Sequence, residues 1–472
     1  MKIIKKILDN GLIIVLIPMK STNIITTGFF VGAGAIDETV KTKGIAHFLE
    51  HLMFGGTKSR PSEEIFKQLD SVGATYNAVT TMENTYYYIS GNSVDTKKIL
   101  DIALDIYINP TFTKKAINKE KKVIIEEMRM RFDTPYVKLY EALHSKIFKS
   151  TPLSGNIIGT EETINSFNRK DFVKFRTDTY RPDKTVFVVT GNMNPAIIYK
   201  IIAKPLGRLV NPPIPHENYI LSTNLSTNLS NLSNLSTVTD IGGENNFINN
   251  PSTEITFDII PQTTKDIIYK NMAEQTVPYV YLKQNNSIQQ VYLLMAFPLF
   301  DIYDKHSKEV DMLSNVLTAG LSSRLNNALR FKKGITYSST SYPYTYSDGG
   351  VFMIQTTMHP QGFIPGLKII LAELRKLKKN PIDTAELKKV KKITTNEILF
   401  MSTDPVDQLT YYGLGFLKNH NFKPDRKKSL EKIKRVTAKN IQMIANKIFS
   451  TSKLNLYLYG NVETHDFDFI KV

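Results

Sequence analysis

The residues on either side of a short Asn/Leu/Ser-rich stretch repeat one pattern, and no other feature limits the possible folds as much. Thr75-Tyr76-Asn77 opens a strand-rich stretch ending in Tyr86-Tyr87-Tyr88-Ile89. Thr336-Tyr337-Ser338 opens another ending in Val351-Phe352-Met353-Ile354. A helical pattern follows each, over Val94–Ile106 and Pro365–Leu377. Each copy closes on an apolar strand and a Gly-Asn pair: Val186–Thr190 with Gly191-Asn192, and Leu454–Tyr459 with Gly460-Asn461. The offsets, 261 residues from Thr75 to Thr336 and 269 from Gly191 to Gly460, point to a duplicated unit of about 200 residues. Hairpins alternating with helices predict an α+β fold: two duplicated domains, each an antiparallel-rich sheet covered by helices on one face. Asn10-Gly11 between apolar segments predicts a further hairpin, pairing Ile3–Leu8 with Leu12–Ile17.

The stretch between the copies reads LSTNLSTNLSNLSNLST from Leu221 to Thr237 and stays polar to Asn250. It cannot bury enough apolar surface to offset the entropy of ordering it. Asn211-Pro212-Pro213-Ile214-Pro215 leads into it like a linker. The expected organisation is therefore an N-terminal domain over 1–210, a linker with a disordered low-complexity insert over 211–275, and a C-terminal domain over 276–472.

Composition mainly excludes. The chain has no cysteine, which removes disulfide frameworks, thiolate metal sites and cysteine nucleophiles. Its apolar runs, such as Leu12 to Ile17, are far short of the roughly 18 residues that span a bilayer. Met1–Met19 starts like a signal peptide, but Asp9-Asn10-Gly11 interrupts it and Pro18-Met19-Lys20 is a poor cleavage site. With no transit peptide visible either, the default expectation is a cytoplasmic location. The balance of 60 Lys+Arg against 44 Asp+Glu gives +16, a charge that attracts nucleic acid, anionic membrane or acidic partners. Abundant Lys, Ile and Asn together read instead as compositional bias. No helix-turn-helix, zinc-finger or RNA-binding signature accompanies the charge, so no specific nucleic-acid partner is expected.

Thr42 to Thr57 reads TKGIAHFLEHLMFGGT. Ile45, Phe48, Leu49 and Leu52 recur at helical spacing, and Gly55-Gly56 ends the pattern. His47 and His51 lie one turn apart beside the apolar stripe, where two imidazoles can share one zinc ion. Glu50 lies on the same side and can reach a metal-held water as general base. This His-x-x-Glu-His order is the inverted zinc-protease arrangement. A catalytic zinc usually takes a third protein ligand. Lys114 to Asp133 is a helical pattern whose apolar face is marked by Ala116, Ile117, Val123, Ile124 and Met128. The same period places Glu120 and Glu127 towards the core, which is costly without a partner. A metal supplies that partner for Glu127; Arg129 or Arg131 would be the plainer explanation. Glu126 falls off the face and reads as solvated.

His47-Phe48-Leu49-Glu50-His51 followed by Glu120 and Glu127 resembles the pitrilysin family, which includes insulin-degrading enzyme and mitochondrial processing peptidase. The surroundings agree: Gly44-Ile45-Ala46, Phe54-Gly55-Gly56-Thr57, Tyr76-Asn77-Ala78, and Ser322-Ser323-Arg324-Leu325 leading to Arg330 and Tyr337. The resemblance implies a zinc metalloendopeptidase holding one zinc ion per chain on His47, His51 and Glu127, with Glu120 supporting them. It implies that substrate backbone adds at Asn77 and Ala78, and that Arg330 and Tyr337 act at the scissile carbonyl. It also implies a clamshell closing on peptides or unfolded segments. Since the chain carries both the zinc helix and the Arg/Tyr pair, a homodimer is expected, with a related subunit as the other arrangement. The rival function is a non-catalytic structural homologue of the respiratory core-subunit type.

Overall fold

The computed structural model describes residues 3–212, 274–462 and 467–472. The insert expected at 221–250 lies outside them. One sheet is built on each side of it. The first contains β1 (Ile4–Ile7), β2 (Ile13–Pro18), β3 (Ile24–Val31), β4 (Thr75–Thr80), β5 (Thr85–Asn92) and β6 (Thr185–Gly191). The second contains β7 (Tyr279–Gln284), β8 (Val291–Leu299), β9 (Thr336–Thr345), β10 (Gly350–Met358) and β11 (Asn455–Gly460). Strand orders are β1-β2-β6-β3-β5-β4 and β7-β11-β8-β10-β9. Without β1 the two are the same sheet. β2 runs parallel to β6 as β7 does to β11, and every other neighbouring pair is antiparallel. Equivalent strands start between 261 residues (β4 to β9) and 270 residues (β6 to β11) apart. The predicted hairpin is β1–β2, with Ile4 opposite Leu16 and Gly11 turning at φ +86°.

The helices of the first half are α1 (Ile45–Met53), α2 (Ser62–Asp70), α3 (Thr96–Ile108), α4 (Lys114–Phe132), α5 (Pro135–Ile147), α6 (Glu161–Ser166), α7 (Arg169–Thr179) and α8 (Pro195–Gly207). Those of the second are α9 (Ser307–Thr318), α10 (Phe363–Lys379), α11 (Thr384–Met401), α12 (Pro405–Lys418), α13 (Arg426–Arg435) and α14 (Ala438–Ile448). No helix among the described residues is long and apolar enough to cross a membrane.

One face of the first sheet packs Phe29 and Phe187 against Phe48 of α1, Ile102 of α3, Ile124 of α4 and Phe172 of α7. Its other face is covered from the second half: Val15, Ile17, Phe30 and Val188 pack on Leu409, Tyr412 and Phe416 of α12. The exchange is reciprocal. Leu294, Ala296, Val351 and Met353 of the second sheet are covered by Leu139, Leu143 and Ile147 of α5. These helices occupy equivalent places, Pro135 and Pro405 each opening one, 270 residues apart. Sequence periodicity predicts helices on one face; the structure has them on both, because each half covers the back of the other's sheet. That explains why β2 and β6 are apolar on both faces, as strands buried on both sides must be. The six large side chains on the two helices contribute on the order of 10 kcal/mol at about 1.5–3 kcal/mol each, comparable to a whole domain's net stability.

Candidate metal centre

α1 starts at Gly44, φ +89°, where any Cβ would meet the Ile158 carbonyl oxygen at 2.5 Å. Glycine has no capping side chain, and Glu38 supplies one from six residues upstream. Its two carboxylate oxygens accept from the Gly44 and Ala46 N–H groups at 3.0 Å each. A carboxylate there satisfies free amides at the positive end of the helix dipole, although burial pushes its pKa up to about 8. Ile45, Phe48, Leu49 and Leu52 are buried, which fixes the rotation of α1 and brings His47 and His51 out together beside them. α4 is capped by Thr113, whose hydroxyl accepts from Ala116 N. Ile117, Ile124 and Met128 are its buried residues. Val123, placed on this face by the sequence pattern, is 43% exposed; the face follows 117, 120, 124 and 127/128 instead.

The two helices bring five predicted residues together. Glu127 Oε1 lies 3.7 Å from His47 Nε2, and its Oε2 lies 3.4 Å from His51 Nε2. One ligand atom from each of the three residues falls within 4.8 Å of the other two. A tetrahedral ion with bonds of about 2.1 Å keeps its ligand atoms roughly 3.4 Å apart. Two imidazoles and a carboxylate therefore fit zinc in donor type and in spacing. Glu120 Oε2 lies 3.3 Å from His51 Nδ1. A proton on Nδ1 bonded to Glu120 leaves Nε2 free as a ligand, the usual support behind a metal-binding histidine. Glu50 is turned towards β4, where Thr80 Oγ1 donates to its Oε2 at 2.5 Å. Glu126 is exposed and pairs with Arg129 at 2.6 Å. Arg131 Nη1 lies 3.5 Å from Glu127 Oε1, so Glu127 has a cation beside it as well as the histidines.

The electrostatics suit ligation at His47 and Glu127, whereas His51 must give up a proton first. Burial, with the charge of His51, lowers the pKa of His47 and favours the neutral imidazole. The hydrogen bond from His51 holds Glu127 well below the ordinary carboxylate range. Burial raises Glu50, against the Thr80 bond that lowers it. For His51 burial acts downward, but the bonds to Glu120 and Glu127 outweigh it and push the pKa up to about 9.

Asn77 and Ala78 lie on β4, an edge strand of the first sheet. Its far end carries Thr80, so the strand edge and the cluster are contiguous. Arg330 and Tyr337 are brought to each other, and among the described residues no hydrogen bond or ion pair joins them to this cluster. The Arg330 guanidinium lies 4.6 Å from the Tyr337 ring centroid and 5.7 Å from that of Phe331. Tyr337 is 81% exposed at the start of β9, the edge of the second sheet.

Thr80 and Glu38 are site residues that sequence reasoning missed; hydropathy gives no signal for either. The duplication also has a counterpart here. α9 packs on β9 as α1 packs on β4, and Glu397 stands 14 residues after its helix cap Asp383, as Glu127 does after Thr113. Asn315 Nδ2 on α9 donates to Glu397 Oε2 at 3.0 Å, where the first half sets His51 against Glu127. The second half keeps the helix pair and the carboxylate but has an amide for the imidazole.

Comparison with known proteins fits this asymmetry. Residues 14–161 match the family model described as Insulinase (Peptidase family M16), and residues 166–394 match the one described as Peptidase M16 inactive domain. The chain belongs to peptidase family M16. An uncharacterized zinc protease of Rickettsia bellii is 29% identical over 460 residues, covering 96% of this chain and 97% of its own. The mitochondrial-processing peptidase subunit beta of Saccharomyces cerevisiae is 34% identical over 203 residues, 43% of this chain and 44% of its own. Among solved structures, a protease from Helicobacter pylori shares the fold at a TM-score of 0.78 and 20% identity, over 97% of this chain and 99% of its own.

Proposed function

We propose that this M16 protein is a zinc-dependent endopeptidase acting on peptides and unfolded protein segments. The observation that carries the reading is the convergence of His47, His51 and Glu127 within 4.8 Å, with Glu50 beside them. His47, His51 and Glu127 would hold one zinc ion, which would supply Lewis acidity at the scissile carbonyl and a water of lowered pKa. Glu50 takes the proton of the attacking water and returns it to the leaving amine. The Thr80 bond holds one of its oxygens and leaves the other for that proton. Substrate backbone adds to the β4 edge at Asn77 and Ala78 by strand augmentation. Tyr337 donates to the developing oxyanion, and Arg330 holds a substrate carbonyl.

Digestion of a peptide library tests the reaction. Cleavage should stop under chelator and return with zinc; cleavage indifferent to chelator overturns the reading. A non-catalytic structural role is the rival, and the complete ligand set with its base speaks against it.

No described bond joins Arg330 and Tyr337 to the cluster, which is in keeping with a homodimer in which each site takes that pair from the other chain. Glu50→Gln and Arg330→Ala proteins should each be nearly inactive alone. Mixed with subunit exchange, they should regain activity, because one of the two sites is then complete. No recovery despite exchange would place the pair in its own chain's site or on a different partner.

A further inference from the structure

The charge of this protein is concentrated in one place. From Phe363 to Ile448 there are 19 Lys and Arg against 8 Asp and Glu, so these 86 residues hold +11 of the chain's +16. The other 386 residues hold 41 against 36. Seven of the eight carboxylates of this region bond to groups within the chain. Asp383, Asp404 and Asp425 cap α11, α12 and α13 through backbone amides. Glu373 pairs with Lys376, Glu386 with Arg324, and Glu431 with Arg435. Glu397 accepts from Asn315.

Ten of the 19 cations lie on two adjacent helices, α11 and α13. α11 and α13 run antiparallel. At one end Lys391 Nζ donates to the Lys434 carbonyl at 2.5 Å. At the other, Arg426 donates to the Gln408 side chain, which donates to the Met401 carbonyl. Lys388 and Lys392 are exposed on α11, and Lys427, Lys428, Lys432 and Lys434 on α13. α11 buries Val390 and Thr394. At about 100° per residue, Lys388, Lys392 and Leu399 then share the opposite face, with Phe400 at its border. α11 ends in Leu399, Phe400 and Met401, which are 46%, 71% and 47% exposed. These three apolar side chains sit at the Arg426 end of α13.

We propose that the α11/α13 face is a peripheral docking surface for an anionic lipid bilayer, with the lysines over the headgroups and Leu399 and Phe400 entering the interface. Charge complementarity selects a polyanion. The adjacent exposed apolar group selects a bilayer over nucleic acid, because phosphate-backbone binding offers such side chains no apolar phase. Lysine rather than arginine dominates, as suits point-charge attraction to headgroups more than bidentate base or phosphate contacts.

Co-sedimentation of the full-length protein tests this. The probes are vesicles of phosphatidylcholine alone and vesicles of phosphatidylcholine mixed with phosphatidylglycerol, each at low and high salt. Binding should favour the anionic vesicles by about tenfold or more and fall steeply with salt. Lys388→Glu with Lys392→Glu should remove most of that preference. Phe400→Ser should weaken binding while leaving its salt sensitivity. Lys427→Glu with Lys428→Glu gives the same reading from the neighbouring helix should the α11 variant not fold. Equal binding to both vesicle types, binding untouched by both charge reversals, or retention on duplex DNA without vesicle binding would each overturn the proposal.

Discussion

Replacing Gly413 by alanine should destabilise the protein, and the reason lies in the helix exchange. Gly413 is buried in α12 where that helix crosses the first sheet. A Cβ there would lie 2.3, 2.4 and 2.6 Å from Cε2, Cδ2 and Cγ of Phe30, against ordinary carbon contacts of about 3.5–4.0 Å. Phe30 is fully buried on β3, so the ring can move only by displacing helix or strand. Overpacking of this kind costs about 1–3 kcal/mol, and three atoms of a fixed ring place it at the upper end. Alanine's better helix propensity returns about 1 kcal/mol, leaving a net loss of about 2 kcal/mol. Gly207, the last residue of α8, is the control: a Cβ there meets nothing within 4 Å. Gly207→Ala has the propensity gain without the clash and should be neutral or slightly stabilising. Denaturant unfolding followed by circular dichroism should separate the two variants by about 2–3 kcal/mol. Adding Phe30→Leu to Gly413→Ala should recover part of the loss. Equal midpoints for the two alanine variants would refute the packing argument.

Two further outcomes concern the site. His51 is pushed up to about 9 in the metal-free protein, so at pH 7 it is protonated and zinc must displace that proton. Calorimetry in buffers of different ionisation enthalpy should show release of about one proton per zinc at pH 7. Apparent affinity should fall about tenfold per unit as the pH drops below 9. Because this pKa lies above the usual histidine value, the ion pairs stabilise the metal-free fold below about pH 6.5 and are lost as the pH rises through 9. No proton release at pH 7 would contradict this. At Thr80, valine keeps the shape and removes the donor to Glu50. Thr80→Val should lower kcat by about 10–100-fold with KM and zinc content unchanged, while Thr80→Ser stays near wild type; equal kcat in both would exclude the positioning role.

Much of the fold was legible because two signals coincided. In α1 the apolar period and the metal-ligand spacing fall on one helix turn, and the duplication shows as repeated strand endings. Helix starts were less legible: Val94 belongs to a 3-10 turn capped by Asn92, so α3 begins at Thr96. Val123 was misplaced because β-branched apolar residues also occupy exposed helix positions. An amphipathic stripe says that a helix is covered but not by what, which is why the exchange of α5 and α12 was invisible. The concentration of charge was countable, but which carboxylates are consumed as caps is a property of the folded chain. Thr80 reaches Glu50 across 30 residues of sequence, and nothing in local pattern marks it.

The most direct test of a zinc centre with Glu50 as its base is the Glu50→Gln variant, measured for metal content and peptide cleavage together. Glutamine keeps the size and can still accept the Thr80 bond, but it cannot take the proton. Zinc should remain near one per chain while cleavage falls by about 10²–10⁴-fold. Cleavage close to wild type with zinc still bound would contradict it.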